Sequence, residues 1–157
     1  MDDSNDNPSD SMDHHEWLAK ADVEKVGLHP RSGRSYPEAE LTERIIGACI
    51  AVHRELGPGY LEGIYENALA HELSQRGLPF ERQRLMRVMY DGIEVGEHRI
   101  DLLVAGKVVL ELKSVDQLTP KHVAQAISTL KAVGAKVALL VNFNEARVID
   151  GIRRVVL

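Results

Sequence analysis

This chain of 157 residues has a single cysteine, and it lacks both a long apolar run and an apolar segment near its N-terminus. The single cysteine, Cys49, excludes an intramolecular disulfide framework and favours a reducing compartment. No apolar run approaches the roughly 18 residues needed to span a membrane. The N-terminus lacks the basic segment followed by an apolar one that marks a secretory signal. We therefore expect a cytoplasmic protein without a membrane partner.

Basic residues are missing from the first 16 positions, which carry six acidic residues. Removing these six from the total of 24 leaves 18 acids against 19 bases, so the rest of the chain is nearly neutral. That balance neither supports nor excludes a nucleic-acid partner. Residues 1–35 are rich in Asp, Asn, Ser, Gly and Pro, which predicts a largely disordered acidic tail. Residues 36–157 have the length and composition of one folded domain.

Hydrophobic periodicity in that domain predicts an α+β fold. Apolar residues at three- and four-residue spacing indicate helices over about 37–56, 61–76 and 119–133. Apolar and alternating runs indicate strands at 81–90, 93–95, 98–104, 107–113, 137–143 and 152–156. The order ααββββαββ predicts a mixed sheet flanked by helices.

Three charged side chains interrupt two otherwise apolar strands at 98–104 and 107–113. They are Asp101, Glu111 and Lys113. Acidic residues are depleted in strands, and charges are rarely buried unless they are paired or bound to a metal. The most economical explanation is a divalent-metal site for phosphodiester chemistry, and the alternative is a solvated Glu-Lys pair at a sheet edge.

The length of the turn at 105–106 decides whether the two carboxylates can share a metal. A two-residue loop would place them on opposite faces, because side chains alternate along a strand. A three-residue loop with its glycine left-handed and Leu103 opposite Lys107 places both carboxylates and the lysine on one face. The other face is then wholly apolar. We therefore predict an odd-length loop or an equivalent bulge.

The expected metal is Mg²⁺ or Mn²⁺, because carboxylates are hard oxygen ligands. Such an ion polarises a scissile phosphate and lowers the pKa of a water nucleophile. Lys113 is placed to orient or deprotonate that water, or to offset phosphate charge in the transition state.

Other motifs accompany these residues in a fixed order along the chain. The start of the second predicted helix reads Gly59-Tyr60-Leu61-Glu62-Gly63-Ile64-Tyr65. Further motifs lie at 46–48, 52–59, 101–104, 111–114, 118–120 with His122, Ala124 and Gln125, and 150–154. Over roughly residues 41–157, this set resembles the GxxExxY family of the PD-(D/E)XK nuclease-like superfamily.

The resemblance implies a restriction-endonuclease-like αβββαβ core, a central mixed sheet flanked by helices. It implies that Glu62, on the first core helix, joins Asp101 and Glu111 as a metal ligand. It also implies that Gln125 lies beside the site, where an amide binds a phosphate or a water. The family pattern has an aromatic residue near Thr129, and this chain departs from it.

The expected activity is metal-dependent hydrolysis of phosphodiester bonds, in DNA rather than RNA. Candidate phosphate contacts are Arg82, Arg84, Arg99 and Lys121, although for any one of them a solvated charged face is the simpler explanation. One alternative is a non-catalytic module on a nuclease fold that binds nucleic acid or protein. Another is a hydrolase of nucleotides or other phosphoesters, which would have a closed pocket. The sequence leaves the oligomeric state open.

Overall fold

The computed structural model describes residues 21–26 and 36–157. Its helices are α1 (Ala39–Leu56), α2 (Glu62–Gln75) and α3 (Pro120–Val133). Its strands are β1 (Asp22–Lys25), β2 (Phe80–Tyr90), β3 (Ile93–Val104), β4 (Val108–Lys113), β5 (Val137–Asn142) and β6 (Ile152–Val156), with a 3₁₀ turn at Val148–Gly151. Among these described helices, none is long and apolar enough to cross a membrane.

The six strands form one mixed sheet in the order β1-β6-β5-β4-β3-β2. Only β4 and β5 are parallel, and α3 forms the crossover between them. From α2 to β5 the elements follow the αβββαβ order that the resemblance implies. The α+β class is therefore confirmed, and the architecture is consistent with a restriction-endonuclease-like core.

Two apolar layers hold the sheet between its helices. Helices α1 and α2 pack with one set of strand residues, and α3 packs with another. Tyr65 of α2 is fully buried and stacks on Phe143 with ring centroids 4.5 Å apart. His53 of α1 is also buried, with its Nε2 2.9 Å from the carbonyl oxygen of Glu145. Tyr65 and His53 therefore act as packed and hydrogen-bonded core residues.

The observed strands differ from the predicted ones in two places. The predicted strands at 93–95 and 98–104 are one continuous strand, so three strands rather than four separate α2 from α3. Residues 22–25, which the composition places in the tail, form β1 and pair with β6. Val26 is buried beside them. The rest of the predicted tail, residues 1–20 and 27–35, lies outside the described residues.

Candidate active site

The turn between β3 and β4 has the predicted odd length. Lys107 N donates to the Val104 carbonyl at 3.0 Å, and Ala105 and Gly106 have φ values of 53° and 67°. Val104 nevertheless pairs with Val108, so three residues separate the paired positions. The two-residue turn is therefore followed by one extra residue.

That register places the two carboxylates closer than predicted. Leu103 pairs with Val109, so the predicted Leu103–Lys107 pair is wrong by two residues. Continuing the observed register by one residue from Leu102 and Leu110 puts Asp101 directly opposite Glu111, whereas the sequence predicts a diagonal relation. Directly opposed residues share a face in a regular ladder, so this register is compatible with the predicted grouping.

Asp101 is fixed by a backbone hydrogen bond in an irregular part of the sheet. Its Oδ2 accepts a hydrogen bond from Leu112 N at 2.7 Å. On the neighbouring strand, Gln83 has a left-handed φ of 51°. Ile100 packs with the cluster beneath α3, so its predicted place on the other face with Leu102 is wrong. In a regular strand Ile100 and Leu102 would share a face. The alternation of side chains between the two faces of the sheet is therefore interrupted at Asp101.

Burial raises the pKa of the Asp101 carboxyl, and the nearby charge of Glu66 raises it further. The hydrogen bond from Leu112 N opposes these effects. Removing water from a carboxylate disfavours its charged form, and a second negative charge does the same. The site is therefore short of positive charge around Asp101.

Glu111 is the most deeply buried acid of the site, with 3% of its surface exposed. Burial, followed by the charge of Asp101, raises its pKa from 4.5 to about 7. Thr129 Oγ1 of α3 donates to Glu111 Oε1 at 3.2 Å, and His98 Nε2 lies 3.7 Å from the same oxygen. Thr129 Oγ1 and His98 Nε2 are also 3.2 Å apart. These contacts hold Glu111 in place.

Lys113 is half-buried two residues beyond Glu111 on β4. Side chains two apart in a strand share a face, so Lys113 lies on the side of the carboxylates. Its positive charge lowers the pKa of both Asp101 and Glu111 without offsetting the effect of burial. Burial lowers the pKa of His122 on α3, and the charge of Lys113 lowers it further.

The glycine-tyrosine motif determines where helix α2 begins, and therefore where Glu62 lies. Tyr65 Oη donates to the Gly57 carbonyl at 2.6 Å and accepts from Tyr60 N at 3.2 Å. Ser114 Oγ, at the end of β4, donates to the Tyr60 carbonyl at 2.6 Å. The first turn of α2 is thus tied to the strand that carries Glu111.

Glu62 is exposed in the first turn of α2. Its negative charge raises the pKa of both Asp101 and Glu111, which places it in the electrostatic neighbourhood of the pair. Within residues 21–26 and 36–157, however, no three His, Cys, Asp or Glu side chains are already grouped to hold a metal ion.

The donor set fits a hard divalent cation by its chemistry. Asp101 is half-buried and Glu111 is buried, the charge of Asp101 raises the pKa of Glu111, and both carboxyls have raised pKa values, with Lys113 as the nearby compensating charge. A bound cation would favour the ionised form of both carboxyls. Glu62 is an exposed acid whose charge raises the pKa of both carboxyls.

Glu66, one helical turn beyond Glu62, is an acid that the sequence reasoning missed. It is buried, and Arg82 Nη2 donates to its Oε2 at 2.7 Å. Gln83 Nε2 donates to its other oxygen, and Arg82 also binds the Asn67 side chain. The pair therefore links β2 to α2, and this structural role occupies Arg82, a predicted phosphate contact.

The other predicted residues are exposed. Gln125 lies on α3 one turn before Thr129, on the same side of the helix. Arg84 is 3.8 Å from the Glu81 carboxylate. Arg99 and Lys121 are exposed on β3 and α3. Their roles in phosphate binding stay predictions.

Thr129, His98 and Glu66 surround the acids without having been predicted as site residues. Thr129 and Glu66 each had a weak signal in the sequence. Thr129 is where the chain departs from the family pattern, and a small hydroxyl there leaves room to reach Glu111. Glu66 has the i, i+4 spacing from Glu62 that places two side chains on one helix face. His98 carried no signal beyond its position three residues before Asp101.

Comparison with known proteins gives one family. Residues 39–155 match the family model described as the PD-(D/E)XK nuclease superfamily. No curated protein and no solved structure matches the chain. The matched range covers well over half of the chain and includes Glu62, Glu66, Asp101 and Glu111. The chain therefore belongs to the PD-(D/E)XK nuclease superfamily.

Proposed function

We propose that the protein is a Mg²⁺- or Mn²⁺-dependent nuclease that hydrolyses phosphodiester bonds, with DNA as its substrate. One observation carries the proposal: Asp101 and Glu111 are close enough on adjacent strands for the charge of Asp101 to raise the pKa of Glu111, and the charge of Lys113 acts on both. Superfamily membership supports nuclease chemistry at this position. We also propose that the chain is a GxxExxY-type member, because Gly59, Glu62 and Tyr65 have the spacing of that motif.

The proposed ligands are Asp101, Glu111 and Glu62. A divalent ion there would polarise the scissile phosphate and lower the pKa of an attacking water. The residues of the chain have separate tasks in the reaction, in which water attacks phosphorus and the bond to the leaving oxygen breaks. Lys113 offsets negative charge on the phosphate or orients the water, and Gln125 binds a phosphate oxygen.

A cleavage assay with matched variants tests the proposal. Wild-type protein is incubated with linear, circular and single-stranded DNA and with RNA, in Mg²⁺, in Mn²⁺ and in a chelator. We expect metal-dependent cleavage of DNA, and a loss of at least about 100-fold in Glu111→Gln and Lys113→Ala. Glu43→Gln, an exposed acid on α1, and Lys136→Ala, an exposed base before β5, are the controls.

Cleavage that survives in both Glu111→Gln and Lys113→Ala would refute the assigned site. Tight DNA binding without cleavage under every condition would favour the non-catalytic module instead. One observation favours that alternative: Asp101 Oδ2 is already engaged by Leu112 N, and no three acids are grouped within the described chain. Hydrolysis of small phosphoesters but not of nucleic acids would indicate the third function.

A further inference from the structure

Each of the two central acids has one carboxylate oxygen held by the protein. Leu112 N donates to Asp101 Oδ2 at 2.7 Å. Thr129 Oγ1 donates to Glu111 Oε1 at 3.2 Å. Within the described chain, the second oxygens, Asp101 Oδ1 and Glu111 Oε2, accept no hydrogen bond. Solvent reaches both, because among those residues only Arg154 Nε is a fully enclosed side-chain polar atom without a partner.

The hydroxyl of Thr129 is the middle of a chain of hydrogen bonds that ends on Glu111. It also lies 3.0 Å from the carbonyl oxygen of Gln125 and 3.2 Å from His98 Nε2. The carbonyl and the carboxylate only accept, so the single hydroxyl proton serves one of them, and the ionised carboxylate is the stronger acceptor. His98 Nε2 therefore donates to the hydroxyl. It lies 3.7 Å from Glu111 Oε1, too far for a hydrogen bond, so it acts through Thr129.

This chain of bonds lies largely inside the protein. Thr129 and Glu111 are 1% and 3% exposed, and the side chain of His98 is 27% exposed. Water therefore competes little for Glu111 Oε1, and a hydrogen bond is electrostatically stronger in such an environment than in water. The carboxylate is held with one oxygen on its donor and the other free.

The number of free oxygens affects which cation fits. Mg²⁺ requires near-octahedral geometry and keeps several waters, whereas Ca²⁺ takes about six to eight oxygens and accepts bidentate carboxylates. Bidentate binding requires both oxygens of an acid to turn toward the ion, at the expense of the hydrogen bond that holds one of them. We propose that Thr129 and His98 are positioning residues that leave Glu111 a single free oxygen and so favour Mg²⁺ over Ca²⁺. This inference rests on the proposed function, because it takes Asp101 and Glu111 as metal ligands.

Competition for bound Mn²⁺ measures this selectivity without any substrate. Mn²⁺ is titrated onto the full chain, Mg²⁺ and Ca²⁺ are the competitors, and the electron paramagnetic resonance signal of free Mn²⁺ reports its displacement. Thr129→Val keeps the shape of the side chain but loses the hydroxyl. In this variant the ratio of Ca²⁺ affinity to Mg²⁺ affinity should rise at least about tenfold over the wild type. Thr129→Ser keeps the hydroxyl and should retain the wild-type ratio.

Thr42→Val is the matched control. Thr42 is also a buried helical threonine, and its hydroxyl donates to the carbonyl of Ala39 at 2.9 Å on α1. Its substitution should leave the affinity ratio unchanged. A general loss of packing weakens the binding of both ions, so the ratio separates positioning from structural support.

His98→Phe tests the outer donor of the chain. It should shift the ratio in the same direction as Thr129→Val, but by less, because the threonine hydroxyl stays in place. His98 is partly exposed, so this variant carries less risk to folding than a change at the buried Thr129. Circular dichroism verifies that each variant is folded.

Two sets of outcomes separate this inference from the metal site itself. If Mn²⁺ binds but Thr129→Val and His98→Phe keep the wild-type ratio, or Thr42→Val shifts it equally, the positioning role is overturned and the metal site stands. Glu111→Gln should weaken Mn²⁺ binding at least about tenfold. A wild type that binds no Mn²⁺, or a Glu111→Gln variant that binds it normally, would refute the metal site and the positioning role together.

Discussion

Asp101, Glu111 and Lys113 stand out at the level of single residues because charged side chains rarely interrupt an apolar strand. This signal can be read from the sequence without any knowledge of the fold. The contacts that hold them cannot, because Thr129, His98 and Glu66 come from three other elements. Those elements approach the acids only after the sheet and its helices have packed.

The pKa of Glu111 predicts how stability depends on pH in the absence of metal. The pKa is about 7 in the folded protein against an ordinary value of 4.5. Between these values the folded protein holds a proton that the unfolded chain has released, so the free energy of unfolding falls as pH rises from about 4.5 to 7. The loss is at most about 3 kcal/mol. Glu111→Gln should reduce this dependence, leaving the part that comes from the raised pKa of Asp101, and should be the more stable protein at pH 8.

Urea denaturation at pH 5 and pH 8, in a chelator, measures the effect. Glu43→Gln on α1 is the control and should keep the wild-type dependence. Adding Mg²⁺ at pH 8 should stabilise the wild type more than Glu111→Gln, because the ion favours the ionised carboxyl. Equal pH dependence in wild type and Glu111→Gln would contradict the raised pKa.

Helices and turns were largely predictable at the level of elements. Helices α1 and α3 end at Leu56 and Val133, as the sequence predicts, and Gly57 and Gly134 follow directly as their C-caps. The odd number of residues in the β3–β4 loop was also predictable, because only an odd-length loop separates the charged side chains from the apolar ones. Its register was not, since the extra residue at Lys107 moves the pairing by two positions, and neither was the position of Ile100, which packs beneath α3.

Gly106→Ala tests the backbone of this turn. Gly106 has a φ of 67°, and an added Cβ would meet no atom within 4 Å. The substitution should therefore act through the left-handed conformation alone and lower the free energy of unfolding by about 1–2 kcal/mol. Gly63→Ala in helix α2 also has open space and should raise it by up to about 1 kcal/mol. Thermal denaturation of both variants gives the comparison, and an unchanged Gly106→Ala would contradict the role of the turn.

The whole molecule is larger than the predicted domain, because the sheet includes β1. Four residues pair with β6, and Val26 adds a backbone hydrogen bond to Ile152 and a buried side chain. Composition alone placed these residues in a polar tail. A short strand on an existing edge needs little apolar content of its own, which is why composition missed it.

Two truncations separate β1 from the acidic segment before it. Removing residues 1–35 deletes β1 and should lower the melting temperature by at least about 4 °C, because burial of Val26 and an edge strand are lost. Removing residues 1–20 keeps β1 and should leave the melting temperature within about 2 °C of wild type. It should also raise DNA affinity, since the first 16 residues carry six acids and no base. Calorimetry and a binding titration are the measurements, and equal melting temperatures for the two truncations would contradict a stabilising β1.

The sequence by itself determined the α+β class, the approximate helix boundaries and the presence of Asp101, Glu111 and Lys113 as charged residues within apolar strands. These follow from periodicity and from charged residues in apolar strands, which are local properties. Only the tertiary structure decided that β3 is one long strand whose outer half projects with β2, and that Glu66, Thr129 and His98 surround the acids. Such contacts join residues far apart in the chain, and burial by several elements at once fixes them.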